Sequence, residues 1–253
     1  MKLDPVRAIA WSWLSISGLA AVLASFQRDA IETHHLERAL IPGFDAFGRS
    51  CMDLVALSAG QSVRIMIPVA LVCILLSLAL SSVALLRNAR LEFLLRSCLD
   101  FLSALPGFLI ALAFGIFFSD GAGPFLLGAL LLAAPTLTRF FESQLRHLRF
   151  EPFIQAAEAL GAGPLHLWIR HYQPELIRML RAILPFLALR LILLETSLSF
   201  LGLQQVPEHE TWGRMLHQGK DYLIEAPWIL YWAAIPLALT LTSFHLLSRE
   251  EPQ

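Results

Sequence analysis

The chain has 253 residues, 57% of them hydrophobic and only 15% charged, with a formal net charge of −1. A soluble domain carries roughly 25% charged residues, so the composition excludes an ordinary soluble protein and points to an integral membrane protein. The near-neutral charge offers nothing to nucleic acid. Cys51, Cys73 and Cys98 are too few and too scattered for a disulfide framework or a metal knuckle.

Residues 8–26 are free of charge and long enough to cross a ~30 Å hydrocarbon core. A cleaved signal peptide is the competing reading, but the run exceeds the ~7–15 apolar residues of such a segment. Residues 1–26 are therefore expected to form a first span, with Lys2 and Arg7 ahead of it in the cytoplasm. Residues 27–61 are mixed and polar, with a Pro42-Gly43 turn, and are expected outside the membrane. Within them, His34-His35 with Glu32 and Glu37 reads as solvated side chains rather than a metal cluster.

Four apolar runs follow at 65–86, 101–118, 121–138 and 182–203, and a last one lies at 227–247. The expectation is an all-α membrane protein of six spans, the last five forming a core over residues 62–248. Its loop 146–181 is expected in the cytoplasm and its loop 204–226 outside. Twelve of the nineteen Lys and Arg residues then fall on the side of the two termini and six on the other, with Arg190 inside a span. That bias supports cytoplasmic termini.

The loop at 146–181 is polar and patterned. Phe153, Ile154, Ala157 and Leu160 share one helical stripe, and Leu165, Trp168, Ile169 and Tyr172 share another. Between them, Gly161-Ala162-Gly163-Pro164 supplies a helix stop and a helix start. Two short helices set between spans suit docking to another protein; an ordinary cytoplasmic loop is the alternative.

Arg190 and Glu195 lie within the fifth expected span. An ionisable side chain at mid-membrane costs at least ~2.5–3.5 kcal/mol and is normally packed inward, paired, or lining a polar path. Five residues apart, they stand about 140° from each other around a helix and are not a same-face pair. Each has two readings, a pathway or subunit interface on one side and snorkelling or a structural bond to a neighbouring helix on the other; the second is favoured for Arg190.

No Gly-x-x-x-x-Gly-Lys-Ser/Thr loop, His-Glu-x-x-His helix or Gly-x-Ser-x-Gly elbow occurs. Glu208-His209-Glu210 with His217 reads as loop polarity rather than a cation site. An enzyme reading has no constellation to stand on.

Ala156-Ala157, Gly161, His171 and Pro174 are similar to the coupling-loop signature of ABC importer permeases, closest to the dipeptide, oligopeptide and nickel branch. Gln155 stands where that family usually has Glu, and Glu158 where it commonly has a basic residue. The run Glu195-Thr-Ser-Leu-Ser-Phe-Leu-Gly-Leu203 resembles a second signature at the end of the fifth span. Thr211-Trp212-Gly213-Arg214, Gly219, Tyr222 and Ala226-Pro227-Trp228 resemble the segment before the last span. Phe47-Gly48-Arg49-Ser50 resembles the start of the second span, with Ser50 in place of an acidic residue.

The resemblance implies a type I importer permease in a bacterial-type inner membrane, with a coupling-helix hairpin between spans four and five. It implies an ATPase interface at Gln155, Ala156, Ala157, Glu158, Leu160, Gly161, His171 and Pro174, and no cofactor in this chain, since ATP is bound by the partner. It implies as partners a second permease, one or two ATPase subunits and an extracytoplasmic solute-binding protein. The implied cargo is a di- or oligopeptide, with nickel or another small solute as the alternative. Outside this family, the competing classes are a membrane enzyme using Glu195 and Arg190, and a scaffold whose hairpin holds a soluble partner.

Overall fold

The computed structural model describes residues 5–26, 41–83, 89–117, 123–203 and 210–248. Among these the regular elements are helices, with one isolated antiparallel bridge between Phe44 and Ser50. The expected first external segment lies outside the described residues over 27–40, as do the His34-His35 group, Glu208 and His209.

The long helices are α1 (Pro5–Phe26), α2 (Cys51–Ser81), α5 (Gly123–Arg149), α8 (Gln173–Phe200) and α10 (Trp228–Ser248). Helix is the form these runs must take in lipid, because it satisfies every backbone N–H and C=O within the segment. Pro68, Pro135, Pro185 and Pro236 sit inside four of these helices without ending them. Shorter elements are α3 (Ala89–Ala104), α4 (Gly107–Phe117), α6 (Pro152–Ala159), α7 (Pro164–Leu167) and α9 (Trp212–Asp221).

The expected span at 101–118 is not one helix. Helix α3 stops before Leu105-Pro106 and α4 restarts at Gly107, bent by 70°. Proline removes a backbone donor and drives the residue before it out of the helical region. The freed carbonyl of Pro106 then accepts from Leu109 N (2.8 Å) and Ile110 N (3.2 Å), which starts the new helix.

Four described helices are long and apolar enough to cross a membrane, namely residues 7–24 of α1 together with α2, α5 and α10; the bent pair adds a fifth if it crosses as one broken span rather than as a re-entrant loop. The remaining expected span lies in α8, which packs against α2, α4, α5, α9 and α10. Small residues let these helices close up. A Cβ on Gly128 of α5 would meet Ala111 Cβ at 2.5 Å and Leu194 Cδ2 at 3.4 Å, so α4 and α5 approach closely there with the Leu194 side chain of α8 packed against them. Phe125, Leu191 and Leu198 fill the core near that crossing, and Phe141 and Leu145 continue the same cluster further along α5. Helix α1 lies against α2 and α10, held by a 3.1 Å hydrogen bond from Trp13 Nε1 to Thr240 Oγ1.

Two helices outrun their apolar segments. Helix α5 continues through the polar residues 139–149, and α8 begins at Gln173, before its apolar run at 182. The segment joining them is therefore carried on two helical stems.

Candidate functional site

The segment between the stems folds as the hairpin its sequence suggests. Pro152 occupies the first turn of α6, where no helical hydrogen bond is lost. At the other end Gly161 takes φ +84°, its N–H donates to Glu158 O (3.0 Å), and Ala162 N donates to Ala157 O (3.0 Å). This pair of bonds is a Schellman stop and explains why glycine stands there. Pro164 starts α7, which runs through a π-turn at Trp168–Tyr172 straight into α8.

The two expected stripes divide on folding. Ile154, Leu167, Tyr172 and Leu176 are buried with Leu145 and Leu148 of α5 and fasten the hairpin to its stems. Trp168 is half-buried against the same cluster, while the remaining large apolar members face outward: Phe153 is 48% exposed, Leu160 89%, Leu165 70% and Ile169 57%. Gln155, Ala156, Glu158, Gly161 and Pro174 are exposed with them, while Ala157 and His171 are half-buried. Gln155 Nε2 donates to Phe150 O (3.1 Å), tying α6 to the end of α5. The His171 ring lies 6.0 Å from that of Phe153 and 6.1 Å from that of His166, which brings the two arms together.

Glu195 and Arg190 are not brought together. Arg190 NH1 donates to Thr136 Oγ1 of α5 (3.1 Å), and its guanidinium lies 5.5 Å from the centre of the Phe186 ring. That is a bond to a neighbouring helix. Glu195 is only 2% exposed and accepts a 2.9 Å hydrogen bond from Ser199 Oγ. Thr211, Thr196 and Ser62 also lie beside its carboxyl group, so α2, α8 and the start of α9 converge on one buried acid.

The motif residues after it acquire physical reasons. Gly202 at φ +84° and Leu203 end α8 in a second Schellman stop, through bonds to Ser199 O and Leu198 O (3.0 Å each). Thr211 caps α9 through Arg214 N (3.4 Å). Gly213 lies against α8 so closely that a Cβ would sit 2.4 Å from Thr196 O and 2.5 Å from Ser199 Cβ.

A further polar centre went unread in the sequence. Arg49, 6% exposed, donates from Nε to Asp45 Oδ2 (2.7 Å) and from NH1 to Glu210 Oε1 (2.6 Å). Asp45 also accepts from the backbone N–H groups of Phe47 (2.9 Å) and Arg49 (2.7 Å), so it shapes the 41–50 loop while holding the arginine. Burial works against the charge on Arg49, but Glu210 and Asp45 outweigh it and its pKa stands above the ordinary arginine value. Glu210 is thereby committed to Arg49, and His217 Nδ1 lies 2.7 Å from Phe200 O. No group of three or more His, Cys, Asp or Glu suited to a metal ion occurs among the described residues.

The family model described as "Binding-protein-dependent transport system inner membrane component" matches residues 74–249. Among curated proteins, one of Brucella suis provisionally named a peptide transport system permease protein is 31% identical over 209 residues, covering 81% of this chain and 69% of the relative. A Brucella abortus protein of the same provisional name matches equally. The glutathione transport system permease protein GsiD of Shigella flexneri is 29% identical over 159 residues, 62% of this chain and 51% of that one.

Proposed function

The chain belongs to the family of binding-protein-dependent transport system inner membrane components, and from this premise we propose that it is the membrane-spanning permease subunit of an ATP-driven ABC importer. Its cargo is a di- or oligopeptide handed over by an extracytoplasmic binding protein. Peptide is favoured because the Brucella relatives are named for peptide transport and GsiD for glutathione, itself a small peptide. Nickel or another small solute of the same branch is the second reading.

The observation that carries this reading is the outward face of the hairpin. Phe153, Leu160, Leu165 and Ile169 expose apolar side chains on a segment built into α5 and α8. Such a patch on rigid stems suits a protein partner. A cytoplasmic ATPase docks there, contacting Gln155, Ala156, Ala157, Glu158, Leu160, Gly161, His171 and Pro174. That partner binds and hydrolyses the ATP; this chain is a transport subunit and holds no cofactor. When the ATPases close, the hairpin moves with them. Helices α5 and α8 pass the motion to the spans, which rock between inward- and outward-open states around a pathway shared with a second permease.

In this arrangement the six spans are α1, α2, the bent α3–α4 pair, α5, α8 and α10, with both termini in the cytoplasm and the chain in an inner membrane. Half-buried Arg190 is the intramembrane charge left accessible to a pathway or subunit interface. Buried Glu195 acts through the packing of α2, α8 and α9.

The test is to purify the tagged chain from its native membrane in mild detergent, identify its companions by mass spectrometry and assay ATP hydrolysis. A second permease with one or two ATPases is expected. A lone chain, or a companion without a nucleotide-binding loop, would overturn the reading.

A further inference from the structure

A groove of about 760 Å³ runs between α1, α2, α8 and α10. Its walls are apolar and the groove is not closed over: Trp11, Ile67, Leu71 and Leu184 line it and all remain exposed. Two arginines also line it, Arg7 and Arg181. Each stands where an apolar run begins, at residue 8 in α1 and residue 182 in α8, so both mark the same end of the groove. Arg181 is exposed and makes no hydrogen bond or ion pair with any described residue.

An apolar channel between spans with guanidinium groups at one end matches a molecule with an acyl chain and an anionic head. Arginine presents a fork of donors that fits phosphate oxygens, and basic pockets between membrane helices select anionic headgroups. An apolar helix of another subunit fits less well, because it would cover Arg181 without supplying a counter-charge. We propose that this groove binds one anionic phospholipid, with an acyl chain along Ile67, Leu71 and Leu184 and the phosphate between Arg7 and Arg181. The site rests on the groove and its arginines and not on the transport role. Because Arg181 lies on α8 between the hairpin and the span, the headgroup would touch the stem that carries the hairpin.

Trp11 makes the proposal measurable. The chain, purified with whatever subunits accompany it, is reconstituted in phosphatidylcholine vesicles containing brominated phosphatidylglycerol or brominated phosphatidylcholine. The Trp11 signal is isolated by subtracting a Trp11→Phe sample. Brominated phosphatidylglycerol is expected to quench Trp11 at a several-fold lower mole fraction than brominated phosphatidylcholine. Arg181→Gln should reduce that preference about fivefold, the share of one basic side chain at a membrane surface. Arg181→Lys, which keeps the charge, should largely retain it. Arg178→Gln, which removes an exposed arginine paired with Glu175 and absent from the groove, should leave it unchanged. If Arg181→Gln does not fold, Arg7→Gln serves the same purpose. Equal quenching by the two lipids, or a preference that survives loss of either arginine, overturns the proposal. Absence of quenching by both lipids also overturns it, and means that protein covers the groove.

Discussion

Arg49 is the residue on which the junction of the 41–50 loop with the start of α9 depends. It joins the 41–50 loop to Glu210 just ahead of α9, and both of its acidic partners are buried. Removing Arg49 leaves buried Asp45 without its cation and Glu210 with only Arg214 at 3.6 Å among the described residues, and breaking a buried set of this kind costs about 3–5 kcal/mol. Arg49→Met is therefore expected to lower the thermal unfolding midpoint of the purified protein in detergent far more than Arg178→Met, whose arginine is 74% exposed. Equal shifts for the two would show that the cluster does not hold the loop. Gly213→Ala belongs to the same scale. Its Cβ meets the α8 backbone, which cannot yield as a side chain can, so a loss of about 1–3 kcal/mol is expected in the same melting experiment. A midpoint equal to that of the parent would contradict the close approach of α8 and α9. Neither dependence can be read locally: Arg49 and Glu210 stand 161 residues apart, and a lone Thr-Trp-Gly does not announce what its glycine lies against.

At the scale of elements, the hairpin is defined by how it stops. Gly161 has open space around a would-be Cβ, so Gly161→Ala meets only the left-handed backbone strain of about 1–2 kcal/mol. Gly161→Pro is more severe, because it removes the N–H that bonds Glu158 O and fixes φ on the wrong side. The expected outcome is a chain that still reaches the membrane in normal amount but no longer retains an ATPase on purification, with Gly161→Ala near the parent. Retention of the ATPase by the proline variant would remove the hairpin from the interface. Its turn was legible, since Gly161, Gly163 and Pro164 are backbone signals that act where they stand. Its stripes were legible only as shared faces: periodicity placed Ile154 and Leu160 together, but which of them the stems cover depends on how α5 and α8 approach. Proline was the least legible signal. Pro106 stands at the 70° break between α3 and α4, whereas Pro68, Pro135, Pro185 and Pro236 lie within intact helices, so proline alone did not tell a break from a continuous helix.

For the whole molecule, the feature that matters is continuity. The same core cluster holds Ala111, Phe125, Leu194 and Leu198 around the spans and Ile154, Leu167, Tyr172 and Leu176 at the base of the hairpin. The hairpin is thereby joined to the membrane helices through packed side chains and two helical stems, the path the proposed coupling would use. Its outer surface meanwhile stays apolar and uncovered, most of all at Leu160. The most direct measurement is to place a photo-crosslinking amino acid at Leu160 in the native membrane and identify what it captures. The expected product is a cytoplasmic protein with a nucleotide-binding loop, formed at Leu160 but not at a lipid-side position such as Ile67. A product lacking such a loop, or labelling of lipid alone at Leu160, would contradict the account.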